Sequence, residues 1–267
     1  MPNSAVASYR PGVPLRSTCE PLGMTNTCIT LNDAQQARLA QAHDSDGRPE
    51  SNWDLPTFAG AGAIRSTMAD MLTFLAANLG LVKTPLDPAI AASQVVHFKT
   101  PKGPHDVALC WQVQRDPPVV WHNGQTGGYH SYVAFSPEKR LGVVVLATTT
   151  SGHADALGYR VLNLLTTGDA KPLKLPLAIQ ATPEDLEPLL GNYKLNLLAT
   201  ASITRDRDQL FLQLTGQPKV RVYPESKTRF FCHAVEAAIT FEADDEGQIK
   251  QLVIHQNGLN LPAPKMK

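Results

Sequence analysis

The densest run of chemistry-bearing side chains is Trp121-His122-Asn123-Gly124-Gln125-Thr126-Gly127-Gly128-Tyr129-His130. It sets an ionisable ring and an amide beside three glycines, where two strand-like segments meet. An imidazole can take or deliver a proton near neutral pH. Glycines let a ligand approach the backbone closely and leave N–H groups free to stabilise an oxyanion. A glycine-rich hairpin with two surface histidines has the same composition, so the residue types alone leave both readings open.

Other candidates carry less. Ser151, His153 and Asp155 hold the residue types of a triad within five positions, but triad members converge from separate segments, and this spacing at a helix entrance reads as N-capping. The single Ser-x-x-Lys, Ser136-Pro137-Glu138-Lys139, lies between two strand-like segments and reads as a β-turn. The eight histidines form no His-x-x-x-His pair and the four cysteines, Cys19, Cys28, Cys110 and Cys232, no C-x-x-C pair. Neither a catalytic nor a structural metal is expected, nor a disulfide framework. Gly60-Ala61-Gly62 lacks the third glycine of a dinucleotide fingerprint, and Asp206, Arg207 and Asp208 read as a solvated turn.

Elements must hold the glycine-rich run in place. Residues 1–63 carry the turn signals Arg10-Pro11-Gly12, Asp44-Ser45-Asp46-Gly47 and Gly60-Ala61-Gly62 and predict an irregular, surface-hugging segment with one short helix near 33–42. Ser66 and Thr67 are N-cap candidates, Asp70 follows Thr67 by three, and Met68, Met71, Leu72, Leu75 and Leu79 fall at helical spacing. A helix that Gly80 stops is predicted there. Segments 107–114, 119–122, 129–136 and 141–149 pattern as strands, separated by Pro117-Pro118, residues 124–128 and residues 137–140, and such short connections predict antiparallel neighbours. A helix over 154–167 follows, with Leu157, Val161, Leu164 and Leu165 on one face and Gly168 as its stop. Helices packed on an antiparallel sheet define an α+β first domain over residues 1–168.

Residues 169–183 hold Lys171-Pro172, Leu175-Pro176 and Thr182-Pro183 without periodicity and read as a stiff linker. Beyond it, segments 202–204, 209–215, 219–223, 229–232, 237–242 and 248–256 read as short strands broken by Gly216, Pro224 and residues 244–247. Residues 184–267 are therefore expected to form a small all-β sheet or barrel domain.

Composition narrows the partners. The chain has 267 residues, 43% hydrophobic and 18% charged, enough for a buried core. Lysine plus arginine equals aspartate plus glutamate at 24 each, so no global field favours nucleic acid. The strongest apolar stretch, residues 141–147, is far short of the roughly 18 residues that read as a membrane span, so no transmembrane segment is expected. The first ten residues lack the pattern of a secretory signal, which predicts either a chain that is not exported or a true beginning that lies elsewhere.

The order and spacing of several phrases carry a resemblance. His122-Asn123-Gly124, then Thr126-Gly127-Gly128-Tyr129, then Phe135-Ser136-Pro137-Glu138-Lys139 and residues 141–146 resemble the third active-site motif and following hairpin of serine β-lactamase-related hydrolases. Glu20-Pro21-Leu22-Gly23-Met24-Thr25-Asn26-Thr27 resembles a phrase that closes a helix-rich stretch in these enzymes. Ala59-Gly60-Ala61-Gly62-Ala63-Ile64 with residues 66–71 resembles their glycine-rich entry to the next helix. Leu189-Leu190-Gly191-Asn192-Tyr193 and His255-Gln256-Asn257-Gly258 resemble the β-rich domain often appended to them.

The resemblance implies a partial serine β-lactamase-like fold and, in an intact parent, cofactor-free hydrolysis of an amide or ester through an acyl-serine. Substrates would be small molecules or peptides: β-lactams, D-amino-acid peptides or esters. His122 takes the place of the family's lysine and Asn123 that of its threonine; Gly124 follows, and the Gln125 backbone N–H is an oxyanion donor. Histidine removes an assured positive charge for a β-lactam carboxylate, which favours the esterase and peptidase branches. The family's Ser-x-x-Lys and Tyr-x-Asn motifs precede the Glu20–Thr27 phrase, and neither occurs there. The chain is therefore expected to be a truncated hydrolase, inactive alone. Its alternatives are a non-catalytic ligand- or peptide-binding protein, or a half that complements a separate N-terminal half. By resemblance its parent would be periplasmic or secreted.

Overall fold

A computed structural model describes residues 12–266, apart from 56–58, 102, 104, 170–175, 236 and 257–258. The expected turn at Arg10-Pro11-Gly12 and the phrases Lys171-Pro172 and Asn257-Gly258 fall wholly or partly outside the described residues. The chain divides into two units, one of Met1–Thr150 with Ala154–Pro172, the other of Ser151–His153 with Leu173–Lys267.

The first unit is built on a five-stranded antiparallel sheet in sequence order: β1 His105–Val107, β2 Gln112–Gln114, β3 Val119–Thr126, β4 Tyr129–Ser136 and β5 Leu141–Ala147. The strand expected over 107–114 is two strands, a correction with a local cause. Cys110 adopts a left-handed φ of 59° and the Ala108 N–H bonds the Trp111 carbonyl at 2.9 Å, turning the chain so that Trp111 enters the core. The expected loop 124–128 shrinks to Gly127-Gly128, because β3 stays paired with β4 to Thr126↔Tyr129.

Side-chain alternation loads both faces of this sheet. Val120, Phe135 and Trp111, with Val133 and Val144, pack against Leu75 and Phe74 of helix α3, Met68–Asn78, and its C-cap residue Leu79. On the other face Val119, Tyr132 and Ala134, with Trp121, Val143 and Val145, pack against Leu162 of helix α5, His153–Thr167. Helix α3 begins as the sequence predicts: the Thr67 side chain accepts the Asp70 N–H, and Gly80, at φ 63°, follows its end. Strand β5 is a sheet edge, although its central valines are covered on both faces.

The amino-terminal third is less irregular than its turn signals suggest. Helix α1, Gly12–Leu22, buries Cys19 and Leu22 with Met24 and Ala77, against Leu86 and Ile90 around helix α4, Asp87–Ser93. The helix expected over 33–42 is one turn, α2 Asp33–Gln36, closed by a capping box between Asn32 and Gln35. The following segment ties to the sheet: the His43 N–H bonds the Gly128 carbonyl at 3.3 Å and Tyr129 Oη donates to the Ala40 carbonyl at 2.7 Å.

The second unit opens on helix α6, Pro183–Leu186, capped by Thr182 and Asp185, and a 3₁₀ turn at Glu187–Leu189. Eight antiparallel strands follow in a continuous meander: β6 Gly191–Lys194, β7 Thr200–Asp206, β8 Gln209–Leu214, β9 Val220–Pro224, β10 Arg229–Cys232, β11 Ala237–Ala243, β12 Ile249–Gln256 and β13 Leu259–Pro264. The first strand returns to the last through the Tyr193↔Lys265 bridge and a 2.8 Å bond from the Met266 N–H to the Asn192 carbonyl, making a near-closed barrel. Its interior is filled by Tyr193, Phe230, Phe241, Leu252, Ile239 and their neighbours. Strands β6 and β13 were not expected from the sequence, and both take part in that closure.

Candidate functional site

Strand β2 pairs with β3 only as far as Gln112↔Trp121. From His122 onward the β3 edge turned away from β4 has no strand beside it among the described residues. In an antiparallel ladder, alternate residues point their N–H and C=O groups at opposite neighbours. Counting back from the closing pair Thr126↔Tyr129, Gln125 and Asn123 present theirs to the free edge. All four residues His122, Asn123, Gly124 and Gln125 are exposed. The structure thus brings the four sequence-predicted residues onto one open strand edge.

Their side chains diverge as the pleat requires. His122 leaves on the α3 face and its Nδ1 donates to the Asn123 carbonyl at 2.6 Å. A carbonyl can only accept, so Nδ1 carries a proton and, when the ring is neutral, Nε2 holds the lone pair. That nitrogen can act as a base. Asn123 and Gln125 leave on the α5 face. Gln125 Nε2 donates to the Thr150 carbonyl at 2.5 Å, and Asn123 Nδ2 donates to Asp155 Oδ2 at 2.6 Å.

The glycines of the hairpin are sterically required. A Cβ on Gly127 would fall 2.5 Å from Trp53 Cδ1 and 2.6 Å from the Ser51 carbonyl oxygen, and one on Gly128, at φ 75°, would collide with Ala42. Residues 42–53 therefore clasp the hairpin tip through contacts that admit no side chain. Two further bonds anchor that clasp to the end of β5: His43 Nδ1 lies 3.0 Å from the Thr148 carbonyl oxygen, and the Thr150 N–H bonds the His43 carbonyl at 3.2 Å.

Of the discounted candidates, Ser136 and Ser151 make local turn and cap contacts, whereas Asp155 meets the Asn123 side chain. Ser136 ends β4 and its hydroxyl accepts the Lys139 N–H at 3.4 Å, while Lys139 Nζ lies 3.4 Å from Glu138, the arrangement of a turn. Ser151 Oγ accepts the His153 N–H at 3.3 Å. Asp155 pairs elsewhere, with His130 Nε2 at 2.8 Å as well as with Asn123. That link between two strands and a helix was not seen in the sequence. Period-2 alternation puts Asn123 and His130 on one face, but nothing local reports that the first turn of α5 lies against them. Among the described residues, no group of three or more His, Cys, Asp or Glu side chains is placed to hold a metal ion. The four cysteines are unbridged, and no described helix is long and apolar enough to cross a membrane.

An antiparallel sheet between helices, followed in sequence by a near-closed barrel, is a partial β-lactamase-like fold with an appended β domain. The β-lactamase family model matches residues 16–167, and the chain belongs to that family. Residues 175–265 match a second family, described as a domain of unknown function, DUF3471. Among curated relatives, a β-lactamase of Pseudomonas fluorescens is 26% identical over 50% of this chain and 47% of its own length. An unguisins hydrolase of Aspergillus campestris is 31% identical over 54% of this chain and 30% of its own. A solved class C β-lactamase is 20% identical, with a TM-score of 0.50 over 59% of this chain and 51% of its own, and shares the fold. The chain thus spans about half or less of the length of these relatives.

Proposed function

We propose that β3 is the substrate-facing strand of an acyl-transfer hydrolase acting on amide or ester bonds of small molecules or peptides. The observation that carries this reading is the free β3 edge, where the Gln125 N–H and the Asn123 C=O point outward beside His122, whose Nδ1 faces the Asn123 carbonyl. A scissile carbonyl laid along that edge would place its oxygen on the Gln125 N–H, one of the two donors an oxyanion hole requires. His122 would hydrogen-bond or shuttle a proton near the acyl centre.

That the nucleophile lies outside residues 16–267 is supported by the motifs: the lone Ser-x-x-Lys there is the β4–β5 turn and no Tyr-x-Asn occurs. Chain 1–267 is accordingly proposed to be inactive alone and competent when joined to a segment bearing those motifs. The same edge also fits a non-catalytic role, since an extended peptide can add to an unpaired strand through main-chain bonds.

Intact-mass spectrometry after incubation with penicillin or a fluorophosphonate tests the first claim. No adduct is expected on the chain alone, and a stoichiometric adduct on any serine, Ser136 included, overturns the reading. Adding or fusing the N-terminal half of a related hydrolase is expected to restore ester turnover, and His122→Ala should then lower it by about 10²-fold or more. A complemented protein that folds, binds peptide and never turns over ester supports the binding role instead.

A further inference from the structure

We propose that Asp155 and His130 are positioning residues for the open edge of β3, acting through Asn123. The inference uses the reading of that edge as substrate-facing for its functional meaning, whereas its structural content stands on three side chains. Asn123 Nδ2 donates to Asp155 Oδ2 at 2.6 Å, and His130 Nε2 lies 2.8 Å from Asp155 Oδ1. The carboxylate thus takes one donor on each oxygen, joining β3, β4 and the first turn of α5.

The direction of each bond follows from the chemistry of the groups. An ionised carboxylate accepts and cannot donate, so His130 must carry its proton on Nε2. Nδ1, which holds the lone pair when the ring is neutral, is buried with no hydrogen-bond partner among the described residues. His130 as a whole is 4% exposed and Asp155 29%. The ring is buried on the α5 face of β4, the face that also carries Tyr132. It therefore aims the more exposed carboxylate, and the carboxylate in turn holds Asn123.

What this fixes is the backbone. With its amide held on the α5 side, Asn123 cannot rotate its carbonyl away from the free edge, and that carbonyl is the acceptor that sets the His122 tautomer at 2.6 Å. Gln125, two residues on, is held on the same side by Thr150. Two side-chain anchors on alternate residues hold the outer edge at the spacing a strand requires, where no described strand pairs on that side.

The test needs no substrate. Nitrogen–proton correlation spectra of the whole chain, labelled with ¹⁵N, are expected to place the His130 proton on Nε2 and the His122 proton on Nδ1. In Asp155→Asn the new carboxamide keeps one acceptor for Asn123 and offers a donor to His130, so the His130 proton should move to Nδ1. Exchange of the His122 and Gly124 amides, which bond to β4, should stay within about threefold of the parent. In Asp155→Ala those amides should exchange about tenfold faster or more. If that variant does not fold, Asn123→Ala is the substitute: it should raise the same exchange rates while leaving the His130 proton on Nε2. A parent His130 protonated on Nδ1, or exchange unchanged on removing the anchor, overturns the proposal. Both outcomes are independent of turnover, so failure of the hydrolase reading and failure of this one are told apart.

Discussion

Trp121 and His122 are neighbours in β3 and leave it for opposite faces of the sheet. Trp121 stacks on Tyr132 with ring centroids 5.7 Å apart and packs against the α5-face core, whereas the His122 side chain is exposed and bonds only its neighbour's carbonyl among the contacts of its ring. Truncating the two should therefore separate stability from function. Trp121→Ala is expected to cost about 2–4 kcal/mol, toward the lower part of the range for aromatic truncation because the ring is only half-buried. His122→Ala should stay within about 0.5 kcal/mol of the parent. Urea unfolding of both variants checks this, and an equal cost for the two would mean that the alternation along β3 has been misassigned.

His105, in β1, gives the first unit an acid-sensitive group. Burial, and then the Arg115 guanidinium, hold its pKa below the ordinary histidine value of 6.5. The unfolded chain therefore takes up this proton more readily than the folded one. The contribution is complete above 6.5 and is lost as pH falls through and below that value. Asp106, next to it, has the separate window of a carboxylate: its bond to Arg115 holds it below 3.8, so its contribution is lost only in stronger acid. Melting temperature should begin to fall between pH 7 and 5, and His105→Gln should flatten that limb while leaving the steeper loss below about pH 4. A variant with an unchanged profile between pH 7 and 5 would remove His105 as the cause.

Among the described residues no strand pairs with the long, apolar outer edge of β5, and its residues 141–147 carry no charge or proline to block another strand. Native sheets protect such edges, so the isolated chain is expected to self-associate along β5 at high concentration. Leu146, 41% exposed, is the place for a charge that leaves the covered valines alone. Light scattering should report a mass falling toward the monomer for Leu146→Lys, with melting temperature nearly unchanged. Association that is equally strong in Leu146→Lys would point to a different surface.

How much of this was legible depended on whether a signal was local. The hairpin strand Tyr129–Ser136, the barrel strand Arg229–Cys232 and the Thr67 cap of α3 were readable because alternation, turn residues and caps all act within a few positions. Helix α1 was not, since Pro11-Gly12 and Pro21 mask a short run whose burial of Cys19 and Leu22 comes from residues 50 or more positions away, such as Ala77. Strand β13, Leu-Asn-Leu-Pro-Ala-Pro, carries two prolines and looks like a tail until β12 supplies its partner. The His122–Gln125 run was legible as a candidate from composition, order and spacing. The carboxylate that Asn123 meets was not, because it arrives on α5 some thirty residues later through tertiary packing alone.

The barrel makes a last prediction about where its folding unit begins. Strand patterning alone starts that unit at residue 184, inside helix α6, but Ala181 packs against the barrel core ahead of that helix. Leu186 and Leu189 are 1% and 3% exposed within the core, and the Leu189 carbonyl accepts the buried Tyr193 hydroxyl at 2.7 Å. Lys265 Nζ reaches the Pro188 carbonyl at 2.8 Å, tying the same turn to the end of the chain. The segment from Thr182 to Leu189 therefore acts as a plug. A polypeptide of residues 176–267 should unfold cooperatively in urea, whereas one of residues 190–267 loses two buried leucines, each worth about 2–5 kcal/mol as a truncation, and leaves the Tyr193 hydroxyl unpaired. Against a total of about 5–10 kcal/mol for a domain of this size, the shorter piece should lack a cooperative transition. Equal stability of the two pieces would show that the plug is dispensable and that the strands alone close the barrel.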